Sequence, residues 1–380
     1  MFYLIGIFLA TFLTFLLLIK KNKSKADKIL LAWLFLMSSH QLFFYIVNNN
    51  EINEFPYLLG IEMPMPTLHG IFLYFYTLAI TGNKLKKKWH VILHFIPFLS
   101  LIILAIPFYT LSNVEKIYVF ENDGAGFEWY SLYSLILIST SGFFYSIWAL
   151  ILVKKHQSKI QNRFSNTDKK ELQWLRSLSI GYAIIWVIAV FFEGPIIFSA
   201  VVILVLFIAF FGINQLNIFY SNIAPLENNQ LKPKETLEVT TENAMSLNEK
   251  KKVEKYAKSG LTEQKATDIY ENLKDLMVKN SYYKNEDLTL VELSKKLEVH
   301  PNHLSQVINE KENKNFYNYI NTLRIEEFIQ LALLPENKKY TMISLAYDCG
   351  FSTKSTFNKH FKLVTGKTPT SYINSLKEID

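Results

Sequence analysis

The chain has 380 residues, half of them apolar, with thirty Phe, twenty-one Tyr and a formal net charge of +7. That length accommodates two or three domains, and a single cysteine, Cys349, excludes an intrachain disulfide framework. The averages conceal a split: long uncharged apolar runs dominate residues 1–220, whereas residues 221–380 carry 23 Lys/Arg against 22 Asp/Glu and have a soluble composition.

Phe2 to Ile19 is an uncharged apolar run of 18 residues, long enough to cross a bilayer core at about 1.5 Å per residue. It has no basic leader and no small-residue cleavage site, which marks a retained span and not a signal peptide. Further spans are predicted at 29–47, 63–80, 91–109, 129–153, 177–192 and 196–213, making seven. Pro64 and Pro66 fall in the first turn of the third, where proline is tolerated. Pro97 and Pro107 are placed to kink the fourth.

Orientation follows from the loops. Residues 20–28, 81–90 and 154–171 hold five, four and six Lys/Arg; the alternate loops 48–62, 110–128 and 193–195 hold only Lys116, with eight carboxylates. This asymmetry puts the N-terminus outside and the C-terminus in the cytoplasm of a multi-pass inner-membrane protein. Among the polar residues of the membrane half, His40, His69 and His94 lie within or beside spans, and Glu62 and Glu193 lie near the outer face. No histidine pair has helical metal-ligand spacing, so hydrogen bonding to neighbours is the expected role. The last span contains no Lys, which excludes a retinal Schiff base at that position.

From 214 to 246 the composition becomes that of a juxtamembrane linker. Two helices are predicted after it, 247–258 and 262–280, and the Lys250 to Lys252 run reads as a solvated face. In the second helix Ala266, Ile269, Tyr270, Leu273, Leu276 and Met277 recur at three- and four-residue intervals. This face must pack on the domain that follows or on a second copy of itself.

Two stretches then repeat one plan. LTLVELSKKLEVHPNHLSQVINE places Leu290, Leu293, Ser294, Leu297, Val299, Leu304, Val307 and Ile308 inward, and FYNYINTLRIEEFIQLAL continues as an amphipathic helix. In YTMISLAYDCGFSTKSTFNKHFKLVTGKTPTSY, small Ala346 sits at a helix crossing, Gly350 suits a left-handed turn, and Ser352 is expected to cap the helix bearing Phe357 and Phe361. Cys349, beside that turn, reads as a packing thiol. The pattern GFSTKSTFNKHFK followed by TGKTP resembles the AraC/XylS-type DNA-binding domain, over roughly Leu273 to Leu376. The resemblance implies two helix-turn-helix units joined by a long helix. It implies that Asn302, Ser305, Gln306 and Asn309 face the major groove from the first recognition helix, and Lys354, Ser355, Asn358 and Lys359 from the second. Glu298 and Asn313 stand where that family tends to have Gly, and His300 replaces the usual Ser cap. Residues 284–339 hold 8 basic and 9 acidic side chains against 5 and 1 in 340–377, so the second unit is expected to supply most of the phosphate attraction.

The expected fold is all-α: a seven-span membrane domain (1–213), a linker (214–246), connector helices (247–280) and an AraC-type domain (281–380). The expected function is a membrane-tethered one-component transcriptional regulator. Its partners would be double-stranded DNA, the lipid bilayer and a signal ligand that the sequence does not name, with RNA polymerase and a second copy of the chain as further candidates. No catalytic constellation, metal site or cofactor motif is present in the sequence, so an enzyme is not expected. The rival reading is a transporter or integral-membrane enzyme with an appended regulator. Against it, the spans show no internal repeat and no embedded acid-base pair.

Overall fold

The computed structural model describes residues 2–48, 54–83, 89–168, 170–192, 194–214 and 261–377. The linker beyond Asn214, the helix expected at 247–258 with its lysine run, and Glu193 lie outside them. The described residues are helical without a named strand; one isolated bridge pairs Phe164 with Thr289. The chain divides into two compact units, one of Met1–His156 and Leu172–Glu227, the other of Gln157–Glu171 and Asn228–Asp380.

In the first unit all seven apolar stretches are helical. They form α1 (Phe2–Ile19), α2 (Lys25–Asn48), α3 (Met65–Ile80), the trio α4 (Trp89–His94), α5 (Ile96–Leu104) and α6 (Ile106–Tyr109), then α8 (Glu128–Gln161), α9 (Gln173–Phe191) and α10 (Gly194–Asn214). Between them α7 (Asn113–Glu121) starts at a capping box in which Ser112 and Glu115 exchange hydrogen bonds. Four helices, α2 and α8 to α10, contain stretches long and apolar enough to cross a membrane; α1 and α3 are apolar but shorter. The expected fourth span is not one helix. Pro97 and Pro107 each stand in the first turn of a new segment, because proline supplies no N–H to the preceding turn and breaks the ladder there.

The core of this unit joins α1, α2, α3, α8, α9 and α10 through Leu13, Trp33, Leu73, Ala149, Leu175 and Val205. Outward, large apolar side chains such as Phe8, Phe35, Ile136, Ile203 and Phe210 stand exposed, an exterior compatible with membrane insertion. His69 shows how a buried imidazole is accommodated. Trp33 Nε1 donates to its Nδ1 at 3.3 Å, so the ring proton is on Nε2, which donates to His40 Nδ1 at 2.9 Å. His94 reaches the Tyr145 hydroxyl at 2.8 Å. All three histidines are thus hydrogen-bonded, as the sequence suggested.

The second unit contains α11 (Glu263–Asn280), α12 (Leu290–Lys296), α13 (Pro301–Glu312), α14 (Phe316–Leu333), α15 (Met342–Asp348), α16 (Lys354–Thr365) and α17 (Pro369–Lys377). Of the two packings open to α11, the structure has the first: Leu273 and Met277 enter the core made with α12, α13 and the start of α14. Helix α14 serves two cores. Phe316, Tyr319 and Ile320 pack into the first, while Ile325 and Phe328 pack with Leu345, Ala346, Phe357 and Phe361 of the second. Cys349 is fully buried in that second core, and burial pushes its thiol up to about 12, which fits a packing role.

Candidate nucleic-acid interface

Two helix pairs, α12 with α13 and α15 with α16, are built by the same local chemistry. Thr289 and Thr341 cap the first helices, accepting from the Glu292 and Ser344 amides. Each of these helices then closes with the same turn: Val299 N–H donates to Ser294 O at 3.0 Å and Phe351 N–H to Ala346 O at 3.2 Å, with a left-handed residue just before the donor, Glu298 at φ 54 and Gly350 at φ 95. Only glycine suits the second turn, since a Cβ on Gly350 would lie 2.6 Å from the Lys284 carbonyl oxygen. Glu298 adopts the strained geometry where glycine was expected, and Asn313 does likewise at φ 51.

The second helices begin one residue out of step. His300 caps α13 through Nδ1, which accepts from the Asn302 amide at 3.2 Å, while Thr353 caps α16. The first-helix caps are 52 residues apart (289 to 341) and the second-helix caps 53 (300 to 353). Ser352 is the extra turn residue, so it is not the cap the sequence suggested.

Helix α16 buries Phe357, His360 and Phe361 and exposes Lys354, Ser355, Asn358 and Lys359. The four residues expected to face DNA therefore share one open, basic face. On α13 Asn302 is exposed and Ser305 and Asn309 are half-buried, with Asn309 Nδ2 donating to Ser305 O at 2.6 Å. Gln306 departs from expectation: it is 6% exposed, its amide laid along the helix to donate to Glu310 Oε1 at 3.0 Å. It is not available to a base edge in this arrangement.

A segment missed at the sequence level completes the site. Residues 163–168, between α8 and α9, form a strap across this unit. Ser165 N–H donates to Leu288 O at 3.1 Å and Leu290 N–H to Arg163 O at 2.9 Å. Ser165 is fully buried against Arg324, whose guanidinium donates to Ser165 O at 3.4 Å and Ser165 Oγ at 3.2 Å. The same guanidinium donates to Tyr283 O at 2.7 Å and Asn285 O at 2.8 Å. Arg324 is 1% exposed, and burial lowers its pKa to about 10; these carbonyl bonds are what make the buried charge tolerable.

Further along the strap, Asp168 reaches the N-terminal end of α16. Its Oδ2 accepts from Ser352 Oγ at 3.1 Å and Thr353 Oγ1 at 2.8 Å, and its Oδ1 from Thr356 Oγ1 at 2.5 Å. A carboxylate is favoured there by the helix dipole. Beneath it His360 is 1% exposed with no partner on Nε2. Burial, then the charges of Lys359 and Arg324, bring its pKa down to about 4, against the opposing pull of Asp168 and Glu171. One signal for the strap was in the sequence: Arg324 lies four residues from both Ile320 and Phe328, on a buried face that a free cation would not occupy.

Paired helices with left-handed turns and an exposed basic second helix define a DNA-binding domain. A family profile described as a helix-turn-helix domain matches residues 293–375, and this region is an AraC-type helix-turn-helix domain. No curated protein and no solved structure matches the chain.

Proposed function

We propose that the chain is a one-component transcriptional regulator whose first unit sits in the inner membrane, N-terminus outside, and whose helix-turn-helix domain works at the cytoplasmic face. Two helix-turn-helix units, α12 with α13 and α15 with α16, bind DNA together, with α16 as the stronger reader. The Lys/Arg distribution, the four long apolar helices and the family match support this reading.

The observation that carries it is the strap. Residues 163–168 lie on the covalent link between two apolar helices, yet they belong to the DNA-binding unit. Asp168 occupies hydroxyl donors at the start of α16, where a helix N-terminus in DNA-binding proteins commonly meets a phosphate oxygen. A docked strap opposes DNA binding by occupancy and by charge, and a signal that shifts α8 against α9 releases it. The two states differ in what fills the same donors, which is the differential contact a switch requires.

The test is selection of duplexes from a random pool by the full-length protein in nanodiscs, alongside cytoplasm-only reporters fused after Asp380 and within 110–128. Enrichment of a sequence motif, with an active terminal fusion and a silent loop fusion, is expected. Absence of enrichment would end the regulator reading, and an inverted fusion pattern would end the tethered one.

A further inference from the structure

The first unit contains a half-open pocket with a cavity volume of about 260 Å³, bounded by residues 59–63, the end of α5, α6, α7 and the start of α8. Its walls carry the rings of Phe108, Tyr109, Phe120, Phe127 and Tyr130, together with Glu62. Both tyrosine hydroxyls are already committed: Tyr109 donates to Gly60 O at 3.0 Å and Tyr130 to Leu101 O at 3.2 Å. These tyrosines therefore offer ring surface more than polar groups.

Glu62 is the exception. Its Oε2 is buried and has no hydrogen-bond partner, and no ion pair among the described residues reaches it. Burial raises its pKa, against a smaller opposing effect of a backbone hydrogen bond. The turn that seats it is fixed. Gly60 has φ +81, and a Cβ there would lie 2.8 Å from the Phe108 ring. Phe108 in turn stacks edge-on against Phe127 at 5.6 Å. Asp123, exposed, also lines the pocket and adds a second carboxylate.

Ring faces around a carboxyl with one buried, unpartnered oxygen complement an organic cation. We infer that this pocket binds an organic ammonium ion, its charge on Glu62 and its carbon skeleton against the aromatic walls. Aromatic faces attract a desolvated cation, and a nearby carboxylate gives the attraction a direction. The loops that the Lys/Arg count assigns to the outer face, two of which contribute to this pocket, carry eight carboxylates and one lysine, a composition that favours cations. A free amine and an aminolipid headgroup present the same group. That the ammonium is the regulatory signal rests on the function proposed above; that it binds does not.

The experiment uses the full-length chain in phosphatidylglycerol nanodiscs, titrated calorimetrically with phenethylamine and with its neutral counterpart 2-phenylethanol, and with choline against 3,3-dimethylbutanol. At least one amine is expected to bind saturably and at least tenfold more tightly than its neutral partner. Glu62→Gln should remove that preference, while Glu54→Gln, at an exposed position, keeps it. Equal affinity for amine and alcohol, no saturable binding, or an unchanged preference in a folded Glu62→Gln protein would overturn the assignment. Repeating the titration with phosphatidylethanolamine in the disc separates the sources: weakened amine binding identifies the headgroup as the occupant, and unchanged binding identifies a free amine. Amine binding without any change in DNA affinity would leave the pocket standing and remove its role as the sensor.

Discussion

Asp168 and Thr356 stand 188 residues apart in sequence and meet through a 2.5 Å hydrogen bond from the threonine hydroxyl to the carboxylate. The same carboxylate also accepts from Ser352 and Thr353, so one side chain holds the start of α16. Asp168→Ala frees these donors and removes a negative charge from the start of α16, where the proposed function places a DNA phosphate. Full-length protein carrying it is expected to bind duplex DNA up to roughly tenfold more tightly, about 1.4 kcal/mol, in fluorescence anisotropy. An unchanged or weakened affinity would show that the strap does not oppose binding.

On the exposed face of α16, Lys359→Ala should weaken DNA binding by about 1–3 kcal/mol if the lysine reads a base, or evenly across sequences with a shallower salt dependence if it meets phosphate. Asn302→Ala on α13 should cost less, because residues 284–339 carry 8 basic against 9 acidic side chains. Gel-shift titrations of both proteins on one selected duplex at two salt concentrations rank them. A larger loss for Asn302→Ala would contradict the charge argument.

Arg324 holds the strap from below. Arg324→Met keeps much of the side-chain bulk but orphans the Tyr283 carbonyl, at roughly 1–3 kcal/mol if it is left buried and unpaired; the Asn285 and Ser165 carbonyls lose the guanidinium but keep the Leu288 amide and Asn321 Nδ2 as donors. Hydrogen exchange should report faster exchange at the Ser165 and Leu290 amides, which close the strap onto the domain. Arg324→Lys, with fewer donors in a different geometry, should fall between wild type and Met.

His360 gives the second unit an acid limit. Its folded pKa of about 4 lies below the ordinary value of 6.5, so the unfolded chain takes up the proton first. Stability is retained above about 6.5 and lost between there and about 4, by at most about 1.4 kcal/mol per pH unit. Alkylation of Cys349, buried in the neighbouring core, reports the unfolded fraction: labelling should accelerate as pH falls through this window, after correction for thiol ionisation. His360→Phe should flatten the dependence. An equal slope in that variant would assign the effect to other groups.

What was legible in the sequence was local. The two helix pairs followed from turn chemistry, the special turn positions at Glu298 and Asn313 from the resemblance to a family that tends to have Gly there, and the open face of Lys354, Ser355, Asn358 and Lys359 from helical periodicity. Pro97 and Pro107 were visible as kinks, though not as full breaks, because hydropathy reports burial in lipid and not the continuity of a backbone ladder. The strap escaped for a different reason. Its residues make their bonds to partners more than a hundred positions away, as Ser165 does with Glu286 and Arg324, and no periodicity encodes a pairing of that range. The inward lie of Gln306 was not legible, because an amide can bend back to Glu310 on its own helix, a choice that spacing leaves open.

The discontinuity of the second unit also sets an order of events at birth. Gln157–Glu171 leave the ribosome before Leu172 and everything after it, while Thr356 follows Asp168 by 188 residues. At about 5–20 residues per second, the strap waits on the order of ten to forty seconds for the helix it will hold. During that interval α9 and α10 are synthesised, and the strap is tethered at both ends before its partner exists. Asp168 is therefore already in place when α16 emerges, and the Ser352, Thr353 and Thr356 hydroxyls find their acceptor as that helix folds.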